Sequence, residues 1–280
     1  MFDFDVHPAV AADPPEFGVF GGSGFEELLE DAAHVDVETP WGPPAAAIAV
    51  GSLGGRRVAF LPRHGMAHEF PPHMVPYRAN VWAMRRLGVR RLVGPCAAGS
   101  LQRSVEPGHF VVADQLVDRT KSRGDTFFDG APEPTTHISF SDPYCADLRA
   151  AAVSACRDSG VVVHDRGTVV VVEGPRFSTR AESHAMTQAG WEVVNMTQHP
   201  EAALAREARI CYANISLITD YDAGFSLDSG IPAVTVDEVV AVFRRNNEHL
   251  RNVLEALLRD AVPQARSTCA CAAALDGAQL

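Results

Sequence analysis

An α/β fold is predicted for this chain by three observations. Short apolar runs, several rich in β-branched residues, alternate with segments of helical spacing along nearly all of its length. Glycine-rich or polar turns follow the apolar runs, the place where α/β sheets bind ligands. No fixed-period repeat, low-complexity tract or linker interrupts the pattern, so its 280 residues read as one domain. That domain spans residues 17–262, after a flexible leader (1–16) and before a C-terminal tail (263–280).

The elements follow in order. Phe17 to Phe20 is a short apolar strand running into Gly21-Gly22-Ser23-Gly24, and the acidic Phe25–Glu30 suits a helix start. Ala46–Val50 and Arg57–Leu61 pair around Gly54-Gly55. Tyr77–Leu87 has helical spacing, with Val81, Met84 and Leu87 on one face and Gly88 to end it. Arg91–Val93 is a strand that enters a turn at Gly94–Ser100, and His109–Val112 is another strand. The long loop Thr120–Thr136 carries Pro132 and Pro134. Helices are predicted at Asp147–Ser159, Arg180–Ala189, Glu201–Ala208 and Val236–Leu258. Strands are predicted at Thr168–Val172, Glu192–Val194 and Ile210–Ile218.

Charge and composition narrow the function. The balance of 24 basic against 35 acidic residues gives −11, which opposes general nucleic-acid binding and leaves no polybasic membrane patch. No stretch reaches the length of a membrane span. Residues 1–16 are acidic and lack the basic start and apolar middle of a signal peptide, so a cytoplasmic protein is expected. Six scattered cysteines are too sparse for a disulfide scaffold in a chain of this size. Cys269-Ala270-Cys271 has no further zinc ligand close in sequence, so reduced thiols and no metal are expected.

Most of the chemistry-bearing residues sit at predicted strand ends. Asp220 and Asp222 follow the apolar run Ile210–Ile218, and strand alternation points both to one side. They read either as a turn or as a carboxyl pair whose burial lets one member keep a proton and donate it. Gly22-Ser23-Gly24 suits an anion or a tight turn; it lacks the third glycine of a dinucleotide fingerprint and the lysine of a P-loop. Cys96-Ala97-Ala98-Gly99-Ser100 brings backbone N–H groups to the sheet edge or packs a helix closely. Arg63 and His64 supply a planar donor fork and one more donor, suited to phosphate if they are not simply exposed. In Asn195-Met196-Thr197, Thr197 can donate to an anion and Met196 can pack on a flat ring or in the core.

Together these segments resemble a known family. Gly21-Gly22-Ser23-Gly24, Leu61-Pro62-Arg63-His64-Gly65, Tyr77-Arg78-Ala79-Asn80, Ala98-Gly99-Ser100-Leu101 and Asp114-Gln115 carry the resemblance in the first half. Glu173-Gly174-Pro175-Arg176-Phe177-Ser178, Arg180-Ala181-Glu182-Ser183, Asn195-Met196-Thr197 with Pro200-Glu201, and Thr219-Asp220-Tyr221-Asp222 carry it in the second. In order and spacing they are similar to the S-methyl-5′-thioadenosine phosphorylases, a branch of the trimeric purine nucleoside phosphorylases. The likeness covers roughly Gly18 to Leu258.

The resemblance implies a mixed, twisted and partly barrel-like central sheet flanked by helices. It implies phosphorolysis of S-methyl-5′-thioadenosine to adenine and 5-methylthioribose 1-phosphate, with phosphate as co-substrate and no metal or organic cofactor. Phosphate binding then falls to Ser23, Arg63, His64, Cys96, Ala97 and Thr197. Cys96 stands where the family often has threonine, and a thiol is a poor donor. Asp220 addresses N7 of the purine and Asp222 its 6-amino group; Arg63 and His64 complete the catalytic set. Phe177, Asn195, Met196 and Tyr221 join the substrate site, with His137 supplied by a neighbouring subunit of a homotrimer. Ser178 bears on purine choice, and Val236, Val239 and Val240 form an apolar wall for the 5′ substituent. Cys145 with Cys211, and Cys269 with Cys271, match disulfide positions of some thermophilic relatives. Other readings are a phosphorylase for 5′-halo-5′-deoxyadenosine, methylthioinosine or 6-oxopurine nucleosides, and a non-catalytic nucleoside-binding protein.

Overall fold

The computed structural model describes residues 4–21, 29–130, 134–224, 230–231, 233–260 and 268–279. Its strands are β1 (Phe17–Gly21), β2 (Glu30–Val35), β3 (Ile48–Leu53), β4 (Arg56–Pro62), β5 (Arg91–Ser100), β6 (Phe110–Val111), β7 (Gln115–Arg119), β8 (Val163–His164), β9 (Thr168–Val172), β10 (Val193–Asn195) and β11 (Cys211–Asp220). The helices are α1 (Tyr77–Arg86), α2 (Ala146–Asp158), α3 (Arg180–Gln188), α4 (Gln198–Glu207) and α5 (Val236–Asp260). The α/β expectation holds, as does nearly every element named from the sequence. Three strands were not foreseen: β2, β7 and β8. Glu30 opens β2 rather than closing a helix start, and the rest of Phe25–Glu30, with Ser23, lies largely outside the described residues.

The strands form one mixed sheet in the order β2-β3-β4-β1-β5-β10-β9-β7, with β11 on β5 and then β6 and β8. Leu92, Val93, Ala213, Ile215 and Leu217 on the two central strands are essentially inaccessible, so apolar side chains fill both faces of the sheet. α1 and α4 pack together, and their Trp82, Met84 and Leu204 join one apolar cluster. α2 and α5 pack together, and their Leu148, Ala152, Val253 and Leu257 join the other. α1 stops as predicted, with Gly88 at φ +100° after the last turn.

The sheet splits around β5, and the split makes room for a site. β11 pairs in parallel along β5 from Arg91 to Gly99. The opposite edge of β5 is shared. β1 pairs there at Arg91–Val93, and β10 takes over, antiparallel, at Gly99 and Ser100. The residues between were read as a turn because they are glycine, proline, cysteine and alanine; in fact they are extended strand. Their smallness serves the neighbours. A Cβ on Gly94 would lie 2.3 Å from the Tyr212 hydroxyl. With no strand on that stretch of edge, side chains take over: Gln198 Nε2 donates to Gly94 O at 3.3 Å, and Arg63 Nη1 to Pro95 O at 3.1 Å.

Both chain ends are tied to the domain. The described part of the leader, residues 4–16, is anchored rather than loose. Phe4 packs on Trp82 at 4.6 Å between ring centroids, His7 N donates to Arg86 O at 2.7 Å, and Val10 is buried. In the tail, Cys271 and Leu275 are buried, and Ala278 O accepts from His137 N at 2.7 Å. Among the described residues no helix is long and apolar enough to cross a membrane.

Candidate active site

A cavity of ≈ 500 Å³ opens beside the split. Its wall draws on Arg63 and His64 after β4, Cys96–Gly99 of β5, Asn195–Thr197 after β10, and Thr219, Asp220 and Asp222 at the end of β11. Pro175, Phe177 and Ser178 close it from the loop before α3, and Val236, Val239, Val240 and Arg244 from α5. Most of the predicted site residues therefore meet in one place. Strand β5 serves as a ruler: Pro95 holds Arg63 at one end and Gly99 touches the aspartates at the other, about 13 Å away at ~3.3 Å per residue.

Arg63 is wholly buried and tightly held. Its Nε and Nη2 grip the Glu201 carboxylate as a fork, and Nη1 bonds Pro95 O. Burial is the largest single influence and lowers its pKa; the charge and hydrogen bonds of Glu201, with smaller contributions from Tyr212 and Cys96, together overcome this and raise it, so the guanidinium stays cationic. One N–H on each terminal nitrogen is left over from these bonds. Glu201 Oε2 also meets the Tyr212 hydroxyl at 2.7 Å. This carboxylate was not singled out as functional from the sequence.

His64 differs from expectation. Burial and the neighbouring Arg63 charge push its pKa down to about 3, so the ring is neutral. Nδ1 sits 2.8 Å from Phe70 O, a group that can only accept, so Nδ1 carries the proton. Nε2 is then an acceptor. His64 therefore suits a protonated phosphate oxygen rather than serving as another donor. His68, at φ +57°, stacks on it at 4.5 Å and was missed in the sequence.

Cys96 is buried among amides. Its Sγ accepts from Asn195 Nδ2 at 3.4 Å and Asn214 Nδ2 at 3.5 Å, and lies 3.7 Å from Ser216 Oγ. Burial raises the thiol pKa. The thiol thus fixes Asn195, whose Oδ1 in turn receives Thr197 N at 3.4 Å and Gln198 N at 3.5 Å. Thr197 Oγ1 is buried in the cavity wall without a hydrogen-bond partner among the described residues, a hydroxyl that fits an incoming anion. A threonine at position 96 restores a good donor beside it. Cys96→Thr is expected to lower the KM for phosphate about 2–10-fold, the worth of one net hydrogen bond. Steady-state kinetics with varied phosphate check this.

The aspartates occupy the other end. Burial lifts the Asp220 pKa to about 6, against bonds from Thr219 Oγ1 (2.6 Å to Oδ2) and Asp222 N (2.7 Å to Oδ1), with the Asp222 charge adding to the rise. Asp222 is also raised by burial, opposed by the Ser183 and Ser178 hydroxyls beside it. Among the described residues, Asp222 Oδ2 and Ser178 Oγ are buried with no partner at hydrogen-bond geometry. The two carboxyls share the cavity for a reason other than strand alternation. β11 ends at Asp220 after a register shift, and Asp222 turns in at φ +50°. A Cβ on Gly99 would lie 3.0 Å from Asp220 Oδ1 and 3.3 Å from Asp222 Cα, so the pair has room only because residue 99 is glycine.

Two predicted residues are not in this wall. The turn that brings Asp222 in carries Tyr221 away from the cavity, near the charges of Glu106 and Arg103. His137 is exposed and does not line the cavity of its own chain. Ser23 falls outside the described residues. Arg244, Thr219 and Val194 line the cavity without having been singled out. Arg244 lies one helical turn beyond Val240, the only signal the sequence held.

Comparison with known proteins identifies the family. A sequence profile of the phosphorylase superfamily matches residues 16–259. A protein of Streptomyces coelicolor named purine nucleoside phosphorylase is 50% identical over 268 residues, 94% of this chain and 95% of its own length. A Mycolicibacterium smegmatis protein named S-methyl-5′-thioadenosine phosphorylase is 55% identical over 242 residues, 86% of this chain and 89% of its own. The solved structure of methylthioadenosine phosphorylase from Schistosoma mansoni with adenine superposes with a TM-score of 0.88 at 35% identity, over 95% of this chain and 99% of that one. By sequence and fold, the chain belongs to the phosphorylase superfamily, in its S-methyl-5′-thioadenosine phosphorylase branch.

Proposed function

We propose that the protein phosphorolyses S-methyl-5′-thioadenosine, releasing adenine and 5-methylthioribose 1-phosphate. One observation carries the reading. Buried polar atoms without a well-formed hydrogen bond among the described residues border a single cavity, Thr197 Oγ1 on the wall ordered by Cys96 and Asn195, and Asp222 Oδ2 with the neighbouring Ser178 Oγ beside the aspartates. An anion fits the first, where Arg63 is cationic. A base edge fits the second.

The chemistry follows from that spacing. As the glycosidic bond breaks, the sugar gains positive charge and the base negative charge. Phosphate held by Arg63, Thr197 and the β5 backbone stabilises the first. Asp220, with its pKa lifted to about 6, can give a proton to the departing ring nitrogen. Asp222 accepts from a 6-amino group and, when ionised, repels a 6-oxo group. Phe177 and Met196 flank base and sugar. Val236 is 63% exposed in the single chain, and with Val239 and Val240 it offers an apolar surface to a methylthio group. The bond-breaking step needs only an anion and a proton, so no metal or organic cofactor takes part in it. The reading further assigns a cytoplasmic homotrimer in which His137 completes a neighbour's site.

The test compares methylthioadenosine with inosine, with and without phosphate. Adenine release is expected only with phosphate, at a kcat/KM at least about 10²-fold above that for inosine. Faster inosine turnover would assign the enzyme to 6-oxopurines and set it with the Streptomyces coelicolor relative named purine nucleoside phosphorylase rather than with the methylthioadenosine phosphorylases. No base release at all would leave a binding protein. Light scattering checks the assembly; a fully active monomer contradicts the trimer.

A further inference from the structure

Away from the active cavity, the fold collects four cysteines that the sequence scatters. Cys145 caps the N-terminus of α2, Cys211 opens β11, and Cys269 and Cys271 belong to the C-terminal strap. Their sulfurs all lie within 4.8 Å of one another, with Cys211 Sγ 3.4 Å from Cys269 Sγ. Cys145, Cys211 and Cys271 are buried and Cys269 is partly so. The C-x-C pair, expected to lack further ligands, therefore has two.

We propose that these four cysteines form a structural site for one thiophilic divalent cation, zinc in the first place, which staples the C-terminal strap to the core. Zinc bound by four thiolates at about 2.3 Å sets its sulfurs about 3.8 Å apart, the scale of the observed cluster. All four positions come from protein, so the site is closed and has no open position for chemistry. Soft thiolate ligands favour zinc over magnesium or calcium. Binding exchanges four thiol protons for one cation, M²⁺ + 4 RSH → M(SR)₄²⁻ + 4 H⁺, with no redox step.

The surroundings hold the ligands in place before any ion arrives. Cys145 N donates to Tyr212 O and Cys211 N to Arg90 O, each at 2.9 Å. Asp147, in the first turn of α2, accepts from Thr268 N at 2.8 Å, Thr268 Oγ1 at 3.0 Å and Cys269 N at 3.1 Å. These bonds fix the strap just before the C-x-C pair and supply the outer support that metal ligands need. Further along, the strap bonds His137 and pairs Gln279 with Thr136, so the staple also braces the loop that carries His137.

The test uses the full chain, purified under reducing conditions without chelators. Elemental analysis is expected to find about one zinc per chain. A mercurial should release it to a chromophoric chelator, and the metal-free reduced protein should take it up again one to one. Cys269→Ser with Cys271→Ser should abolish uptake and lower Tm by about 5–10 °C. If that variant does not fold, metal content and uptake of the parent chain decide alone. Absence of zinc, with no uptake from excess zinc by the reduced protein, overturns the proposal. So do disulfides within the cluster in protein alkylated at cell lysis.

Discussion

Asp220→Ala is expected to lower kcat for methylthioadenosine about 10²–10⁴-fold, the usual worth of a positioned proton donor. The KM for phosphate should stay within about twofold, because the proposed function gives that anion to Arg63 and Thr197, neither of which bonds residue 220. Asp220→Asn separates charge from shape. Its amide can accept from Asp222 N and donate to Thr219 Oγ1, whose own proton can turn to Ala98 O, now 3.3 Å away. The variant should therefore fold, lose most adenine activity and gain relative preference for 6-oxopurine nucleosides. Unchanged selectivity would remove the carboxyl from the base. Stability gives an independent readout. A carboxyl with its folded pKa raised from 3.8 to about 6 stabilises the fold at low pH, and that contribution is lost as pH rises through about 6. Asparagine carries no such penalty. The Tm of Asp220→Asn should thus gain on the parent between pH 5 and pH 8 (about one unit below and two above that pKa).

The same aspartates show what could be read without coordinates. Their chemistry was legible because two carboxyls followed a fully apolar run. The reason for their convergence was not: it lies in a register shift and a positive φ at Asp222, which no alternation rule contains. Strands with β-branched cores, such as Thr168–Val172, announced themselves. β2 and β7 did not, since Glu30–Val35 holds few β-formers and Gln115–Arg119 is largely exposed. Backbone pairing with β3 and β9 decides those two instead. Gly94–Ser100 carried a turn composition, yet the contacts that demand small residues there come from Tyr212 and Asp220, more than a hundred positions away. The thiol cluster failed for the same reason, because spacing along the chain says nothing about Cys145 and Cys211 reaching the strap.

Glu201→Ala is expected to produce the largest loss of stability, about 3–5 kcal/mol, by leaving the buried Arg63 charge without its counter-ion. At about 2–4 °C per kcal/mol for a chain of this size class, Tm should fall by roughly 10 °C. The catalytic consequence differs from that of Asp220. Glu201 touches Arg63 and Tyr212 rather than substrate, so it is a positioning residue. With its fork partner gone, the guanidinium loses the orientation that leaves one N–H on each terminal nitrogen spare. The KM for phosphate should rise about tenfold or more, with a smaller change in kcat, when assayed well below the lowered Tm. Glu201→Gln discriminates this from general damage. Its amide oxygen can still accept from Arg63 Nε, while its NH₂ cannot accept from Nη2, so half of the fork survives. Phosphate KM should then fall between parent and alanine variant, in step with the surviving bond. Arg63→Lys should raise phosphate KM too, because an ammonium group keeps the charge but cannot span Glu201, Pro95 O and an anion from one plane. A Tm loss in Glu201→Ala with phosphate KM unchanged would make the pair a purely structural strut, and the anion would have to be held by Thr197 and the β5 backbone without it.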